Sequence, residues 1–396
     1  MTQRVACPPV WKRKERTVCL DLTYCPAQNK MTTQRARVQI QANRLIGNYR
    51  HICDLVGDGC KVLAVVKADA YGHGAVHVCK LLYDAGCRYF AVACIEEAIT
   101  LREGGVDGNI LILGNTDASY APRLRAMDLI QTVDCAEYAH ALAQNGGARI
   151  HIKVDTGMSR LGLYCHHVDD VPSSADAIAQ IVSIPSLHVE GIFTHFADSD
   201  GMDDAFTKTQ YGAFTALLDE LQSRGISVGL RHCCNSAGIV RFPDMHLDMV
   251  RAGLILYGLM PSEYIHDDAF SPAMKLIARV SAVNEIKAGD TVSYGCAFKA
   301  ERDMRVAVLS IGYADGLSRA LSGNLSVAIG GREVPLIGRI CMDLCMVDVS
   351  SIPCKAGDEA VIFDSACKID EIARKLGTIN YEVICSLKKR VAIEYV

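Results

Sequence analysis

In the stretch AVVKADAYGHGA, residues 64 to 75, a lysine stands directly after an apolar run and before a tight YGHG. An isolated ammonium at the end of a buried strand is unfavourable, so Lys67 needs a partner or a shifted pKa. Further along, other polar groups stand at the ends of apolar runs in the same way. ARIHIKVD carries Lys153 and is followed by Arg160, and His195 ends HVEGIFTH. Asn235 and Ser236 follow ISVGLRHCC, and Arg251 and Gly253 close HLDMVRAG. A desolvated lysine among cations has a lowered pKa and serves as a nucleophile toward carbonyl compounds or as a general base. Ser236, Tyr71 and the backbone N–H groups after Arg251 could together hold a phosphate. A reactive lysine beside a phosphate cradle points to pyridoxal phosphate.

Singly, each residue has an ordinary structural explanation: a strand-end lysine is usually a solvated head on a buried stem, and a buried histidine or arginine is usually a satisfied core group. The argument rests on their convergence, and convergence depends on the fold. Eight apolar runs succeed one another: KVLAVVK (61–67), RYFAVA (88–93), NILILG (109–114), LIQTV (129–133), ARIHIKVD (148–155), HVEGIFTH (188–195), ISVGLRHCC (226–234) and HLDMVRAG (246–253). Most of the intervals between them carry a helical pattern. Eight strand–helix units in this span predict a closed (β/α)₈ TIM barrel, residues 36–265, whose strand ends face one mouth. An open doubly wound sheet is the alternative, but it usually has fewer strands and often a glycine-rich phosphate turn, which is absent. From 266 to 396 short β-rich runs with turn signals (TVSYG, RVAVLSIGYADG, NLSVAIGG, REVPLIG, CMVDVS, DEAVIF) predict a separate C-terminal β-domain. Residues 1–35 lack periodicity and read as an irregular leader, and a chain starting at Met31 is expected to fold and function.

Composition narrows the function classes. The 396 residues are 50% hydrophobic and 22% charged, with a formal net charge of −4 and no basic face for a phosphate backbone, so nucleic acid is not expected as a partner. No apolar run has the length of a membrane span, and the expected location is cytoplasmic. The 18 cysteines are spread along a large core-forming chain and are expected as reduced thiols. Pairs such as Cys341 with Cys345 lack a matching second pair at zinc spacing, so no metal is expected.

The chain resembles the alanine racemases, pyridoxal phosphate enzymes of the barrel-plus-β-domain type, over nearly its whole length after about residue 36. The resemblance rests on AVVKADAYGHG, KVDTGMSRLG, FTHFADSD, NSAG, VRAGLILYGL, TVSYG, IGYADG, GRICMD and TINYEVIC, in that order. Ser159 departs from a usual glycine and Leu344 from a usual glutamine. By this resemblance Lys67 carries the cofactor and is the base on one face of the α-carbon, and Tyr294 is the base on the other. Racemisation needs both, since a single base tends to return the proton to the face it left. Tyrosine, with a reference pKa of about 10, needs cationic neighbours for that role, which His195 and Arg251 resemble. Arg251 would also face the pyridine nitrogen and, unable to give up its proton, leave the ring unprotonated. Tyr71, Ser236, Gly253, Leu254 and Tyr381 match phosphate-binding positions, and Arg160 matches the contact to the cofactor oxygen and the substrate carboxylate. Met342 matches a backbone contact to that carboxylate, Tyr313 a residue of the substrate approach, and Lys153 a position carbamylated in some members.

The resemblance further implies a homodimer with shared active sites, alanine as substrate, and supply of D-alanine for cell-wall synthesis. A broader serine/alanine racemase is the alternative, but members of that type carry a membrane domain and tend to have a smaller amide at the position of Tyr381. A non-catalytic pyridoxal phosphate carrier on the same barrel would lack the β-domain and Tyr294. A decarboxylase of related architecture would need a different C-terminal constellation with a cysteine–aspartate pair, and no matching pair is seen, Cys341 alone keeping that option open.

Overall fold

A computed structural model describes residues 35–396 of the chain; the expectations for the leader and for a start at Met31 concern residues outside it. The chain enters on a short strand, β1 (Ala36–Ile40), followed by the helix Ala42–Val56. The strands β2 (Lys61–Val65), β3 (Tyr89–Val92), β4 (Asn109–Ile112), β5 (Leu129–Val133) and β6 (Ala148–Asp155) come next. They are followed by the two-residue β7 (Leu163–Tyr164) and by β8 (Leu187–Phe193), β9 (Leu230–His232) and β10 (Met249–Ala252). Apart from β7, which pairs with β6, these strands run parallel in the order β10-β2-β3-β4-β5-β6-β8-β9. Each of the eight apolar runs contributes one strand, and their near-continuous burial is that of a parallel sheet covered on both faces.

The ring closes without a continuous ladder between β9 and β10. Two backbone hydrogen bonds bridge the gap, Asp248 N–H to Arg231 O (3.1 Å) and Arg251 N–H to Cys234 O (3.0 Å). The seventh run spans 226–234 in the sequence but only three of its residues are strand. Gly229 has φ 69°, and a Cβ there would lie 2.2 Å from Glu190 O, so the backbone turns at Gly229 before it can join the sheet.

The second sheet is built from β1 and from β11 (Met274–Ile286), β12 (Thr291–Val292), β13 (Phe298–Lys299), β14 (Met304–Leu309), β15 (Ser326–Ile329), β16 (Arg332–Ile337), β17 (Cys345–Asp348), β18 (Glu359–Phe363) and β19 (Ala392–Tyr395), with β12 and β13 paired apart. Its order is β14-β17-β16-β15-β18-β11-β1-β19, and β11 also pairs with β14, so six strands close on themselves. β1 lies antiparallel to β11 and parallel to β19, which puts residues 36–40 in the C-terminal sheet although they precede the barrel. The helices Ala366–Leu376 and Asn380–Cys385 follow β18 and bring the chain back to the barrel mouth. There Tyr395 donates to His73 O at 2.8 Å. Gly74, at φ 85°, admits that phenol where a Cβ would lie 2.1 Å from its oxygen. Among the described residues no helix is long and apolar enough to cross a membrane, and no group of three or more His, Cys, Asp or Glu residues could hold a metal. Cys79, Cys87, Cys233 and Cys234 are buried free thiols.

Candidate active site

β2 ends at Val65, and Lys67 begins the turn that follows it. Ala68, Asp69, Ala70 and Tyr71 all have φ between 52° and 54°, one full turn of left-handed helix without a glycine. Each such residue is disfavoured by roughly 1–2 kcal/mol, so the turn must be held from outside. The turn sends Lys67 into the mouth and folds Tyr71 inward against Tyr257, with ring centroids 4.9 Å apart. Tyr257 is anchored by donating to Val65 O at 2.9 Å. Burial and the nearby Arg160 guanidinium both lower the Lys67 pKa, while Glu97 opposes them.

Arg251, on β10, is 4% exposed and held through both terminal nitrogens. Its Nη2 donates to Thr194 O (2.8 Å), Cys233 O (2.7 Å) and His195 Nδ1 (2.9 Å), and its Nη1 to His232 Nδ1 (3.0 Å). Arginine only donates, so both histidine Nδ1 atoms must accept and each imidazole carries its proton on Nε2. His232 Nε2 then donates to His151 Nδ1 at 3.0 Å. Burial, and after it the charge of Arg251, holds His195 and His232 well below the usual histidine range. His195 is therefore a neutral neighbour of the Arg251 guanidinium, where the sequence alone suggests a cationic pair supporting a tyrosine.

Lys153, on β6, donates to Val154 O at 3.0 Å, and burial together with Arg251 pushes its pKa down to about 7. Phe193 stacks on His232 with planes 5° apart and presents its ring to Lys153 and Arg251, each about 5 Å away. The Arg160 loop hangs on one carboxylate: Asp155 Oδ1 accepts from the N–H groups of Gly157 (3.0 Å), Met158 (2.9 Å) and Ser159 (3.1 Å). Ser159 sits at φ 53°, the region that favours the glycine usual there.

The phosphate end of the site forms where β9 and β10 meet. Asn235 caps the helix Ser236–Arg241 through Gly238 N–H at 2.9 Å. That cap presents Ser236, whose Oγ accepts from Gly253 N–H at 3.1 Å and keeps its own proton to donate. A Cβ on Gly253 would lie 3.0 Å from the Tyr71 hydroxyl and 3.5 Å from Ser236 Oγ, so the missing side chain leaves a cradle between two hydroxyls and the backbone of the turn Leu254–Tyr257. Tyr381, from the C-terminal helix, stands 6.1 Å from the Tyr71 ring.

Lys67, Tyr71, Arg160, His195, Ser236, Arg251, Gly253, Leu254 and Tyr381 line one cavity of about 300 Å³, together with Lys153, Phe193 and Asn235. The remaining sequence candidates lie elsewhere. Tyr294 is 71% exposed on the β-domain and shares a shallow depression with Met342, Cys341 and Leu344. Tyr313 is tied to the same region by its N–H donating to Cys341 O at 3.1 Å. None of the three lines the cavity within this chain. The sequence reading passed over Phe193, His232 and His151. Strand alternation could have found His151, which shares a face of β6 with Lys153, and His232 ends β9 four residues before Ser236.

The family model described as "Alanine racemase, N-terminal domain" matches residues 40–261, and "Alanine racemase, C-terminal domain" matches 273–395. The chain is 43% identical over 358 residues to an alanine racemase of Desulfovibrio desulfuricans, covering 88% of this chain and 95% of that protein. It is 40% identical over 365 residues to one of Methanococcus maripaludis, covering 89% and 96%. Among solved structures it is similar to the alanine racemase of Clostridium difficile, with TM-score 0.87 and 36% identity over 92% of this chain and 96% of that one. A Bacillus anthracis alanine racemase with bound L-Ala-P gives TM-score 0.84 at 29% identity over 92% and 95%.

Proposed function

The chain belongs to the alanine racemase family, whose members depend on pyridoxal phosphate, and from that premise we propose that it interconverts L-alanine and D-alanine with Lys67 and Tyr294 as the two bases. The observation that carries the assignment of the site is the cavity itself: a lysine of lowered pKa, a cradle of two hydroxyls beside Gly253 and a buried arginine meet at one barrel mouth. The residues fit the cofactor. Tyr71 and Ser236 would donate to the phosphate with the backbone N–H group of Leu254, in the space left open at Gly253, and Tyr381 would close that end. Arg251, fixed by its four acceptors, would face the ring nitrogen without protonating it. Pyridoxal phosphate held there would supply an electron sink that weakens the Cα–H bond of the substrate.

The protein supplies the proton handling. Lys67, its pKa lowered, takes or returns the proton on one face of the α-carbon. The opposite face needs Tyr294, which is exposed and outside the cavity of its own chain. That arrangement supports a homodimer in which the partner's Tyr294 completes each site, with the partner's Met342 offering a backbone contact to the substrate carboxylate and the partner's Tyr313 lining the approach. Arg160 would hold the carboxylate from the barrel side. Lys153, with much of its amine neutral near pH 7, suits carbamylation, which would brace Arg160. A cytoplasmic location and supply of D-alanine to cell-wall synthesis go with this reading. Incubation with L-alanine and pyridoxal phosphate, followed by chiral analysis, tests it: the expected product is a racemic mixture, and release of CO₂ without D-alanine would sink it.

A further inference from the structure

Four consecutive left-handed residues with Cβ atoms do not hold themselves in place, and the structure shows what holds them. Within the turn, Ala70 N–H reaches Val66 O at 2.8 Å and Gly74 N–H reaches Asp69 O at 2.9 Å. Asp69 Oδ1 takes the N–H of Ala75 at 2.7 Å. The peptide that joins Lys67 to Ala68 is secured from another element. Ala68 N–H donates to Glu97 Oε1 at 2.7 Å, while Ala93 N–H donates to Glu97 Oε2 at 2.8 Å. Glu97 is the third residue of the helix Ile95–Glu103, where a carboxylate commonly turns back to cap its own helix entrance. Here only one oxygen serves that entrance. The other crosses from the end of β3 to the end of β2 and takes the first N–H after the lysine.

We propose that Glu97 is a positioning residue of the site: by bridging Ala68 N–H and Ala93 N–H it fixes the peptide following Lys67, and with it the left-handed turn that directs Lys67 at the cofactor and Tyr71 at the phosphate. The inference rests on reading Lys67 as the cofactor lysine. An amide cannot replace the carboxylate, because its NH₂ group would face one of the two N–H donors. A small displacement of a reacting group can lower a rate by up to about a hundredfold.

The test uses the full-length holoenzyme. Glu97→Gln is expected to lower kcat for alanine about tenfold with KM within threefold of wild type. It is also expected to weaken the apparent affinity for added pyridoxal phosphate and to change the visible circular dichroism of the bound cofactor, which reports how the lysine holds it. Adding Ala68→Gly, which admits the left-handed conformation without a Cβ, should recover about fivefold of the lost kcat. A variant that melts at lower temperature while kcat, cofactor affinity and visible dichroism stay within twofold of wild type would show that Glu97 only caps its helix. So would a double variant with no recovery. If Glu97→Gln alone gives no soluble protein, the double variant decides: soluble racemising protein supports the proposal and continued insolubility overturns it. Failure of the underlying reading is visible separately, as wild-type protein that does not racemise alanine or as cofactor still attached in Lys67→Ala.

Discussion

Replacing Gly253 by alanine should separate cofactor binding from folding. The new Cβ would stand 3.0 Å from the Tyr71 hydroxyl and 3.5 Å from Ser236 Oγ, inside the cradle assigned to the phosphate. Gly253 has φ −104° and ψ −104°, outside the left-handed region. The hydroxyl has little room to retreat, because the Tyr71 ring is buried and packed against Tyr257 at 4.9 Å between centroids. Displacing one hydroxyl from a charged phosphate forfeits a hydrogen bond worth about 1.5–3 kcal/mol. That corresponds to a rise of roughly 10- to 150-fold in the dissociation constant of pyridoxal phosphate. The assay is an absorbance titration of cofactor-free protein, paired with melting curves with and without cofactor. At a cofactor concentration about a thousand times the wild-type constant, ligand stabilisation is about 4.1 kcal/mol, and a hundredfold weaker variant would retain only ~1.4 kcal/mol. The cofactor-free variant should melt within a few degrees of wild type. An affinity within twofold of wild type would refute the cradle assignment, and so would an equal loss of melting temperature without cofactor, which would make Gly253 a packing residue.

Three further outcomes are expected. Lys67→Ala should lose the covalent cofactor linkage and at least about a hundredfold in racemisation, a general-base loss; borohydride fixing the cofactor at one other lysine would contradict the assignment. Co-expressed Lys67→Ala and Tyr294→Phe chains should regain roughly a quarter of wild-type activity, because random pairing makes half the dimers mixed and each mixed dimer holds one intact site. A mixture as inactive as its parents would defeat the shared-site arrangement. Tyr381→Asn should raise serine turnover relative to alanine by up to about tenfold, by opening room and offering a polar group, and an unchanged ratio of kcat/KM values would remove Tyr381 from substrate selection.

The sequence by itself determined the barrel. Parallel strands covered on both faces must be nearly all apolar, so each appears as a run such as KVLAVV or LIQTV, and eight of them alternating with amphipathic stretches leave few topologies. It also determined which residues stand at the strand ends, since that follows from where each apolar run stops, and nine of those it singled out line one cavity. Tertiary structure decided what depends on contacts between segments distant in the chain. The pairing of β1 with β11 joins Ala36–Ile40 to residues more than two hundred positions away, and no local pattern encodes that choice. The left-handed turn after Lys67 lies in ADAY, where no glycine announces it, because its support comes from Glu97 on another helix. The neutrality of His195 is likewise invisible in FTHFADSD: an imidazole there is protonated or not according to burial and the arginine fixed against it, and Arg251 reaches it only when the last strand closes the ring.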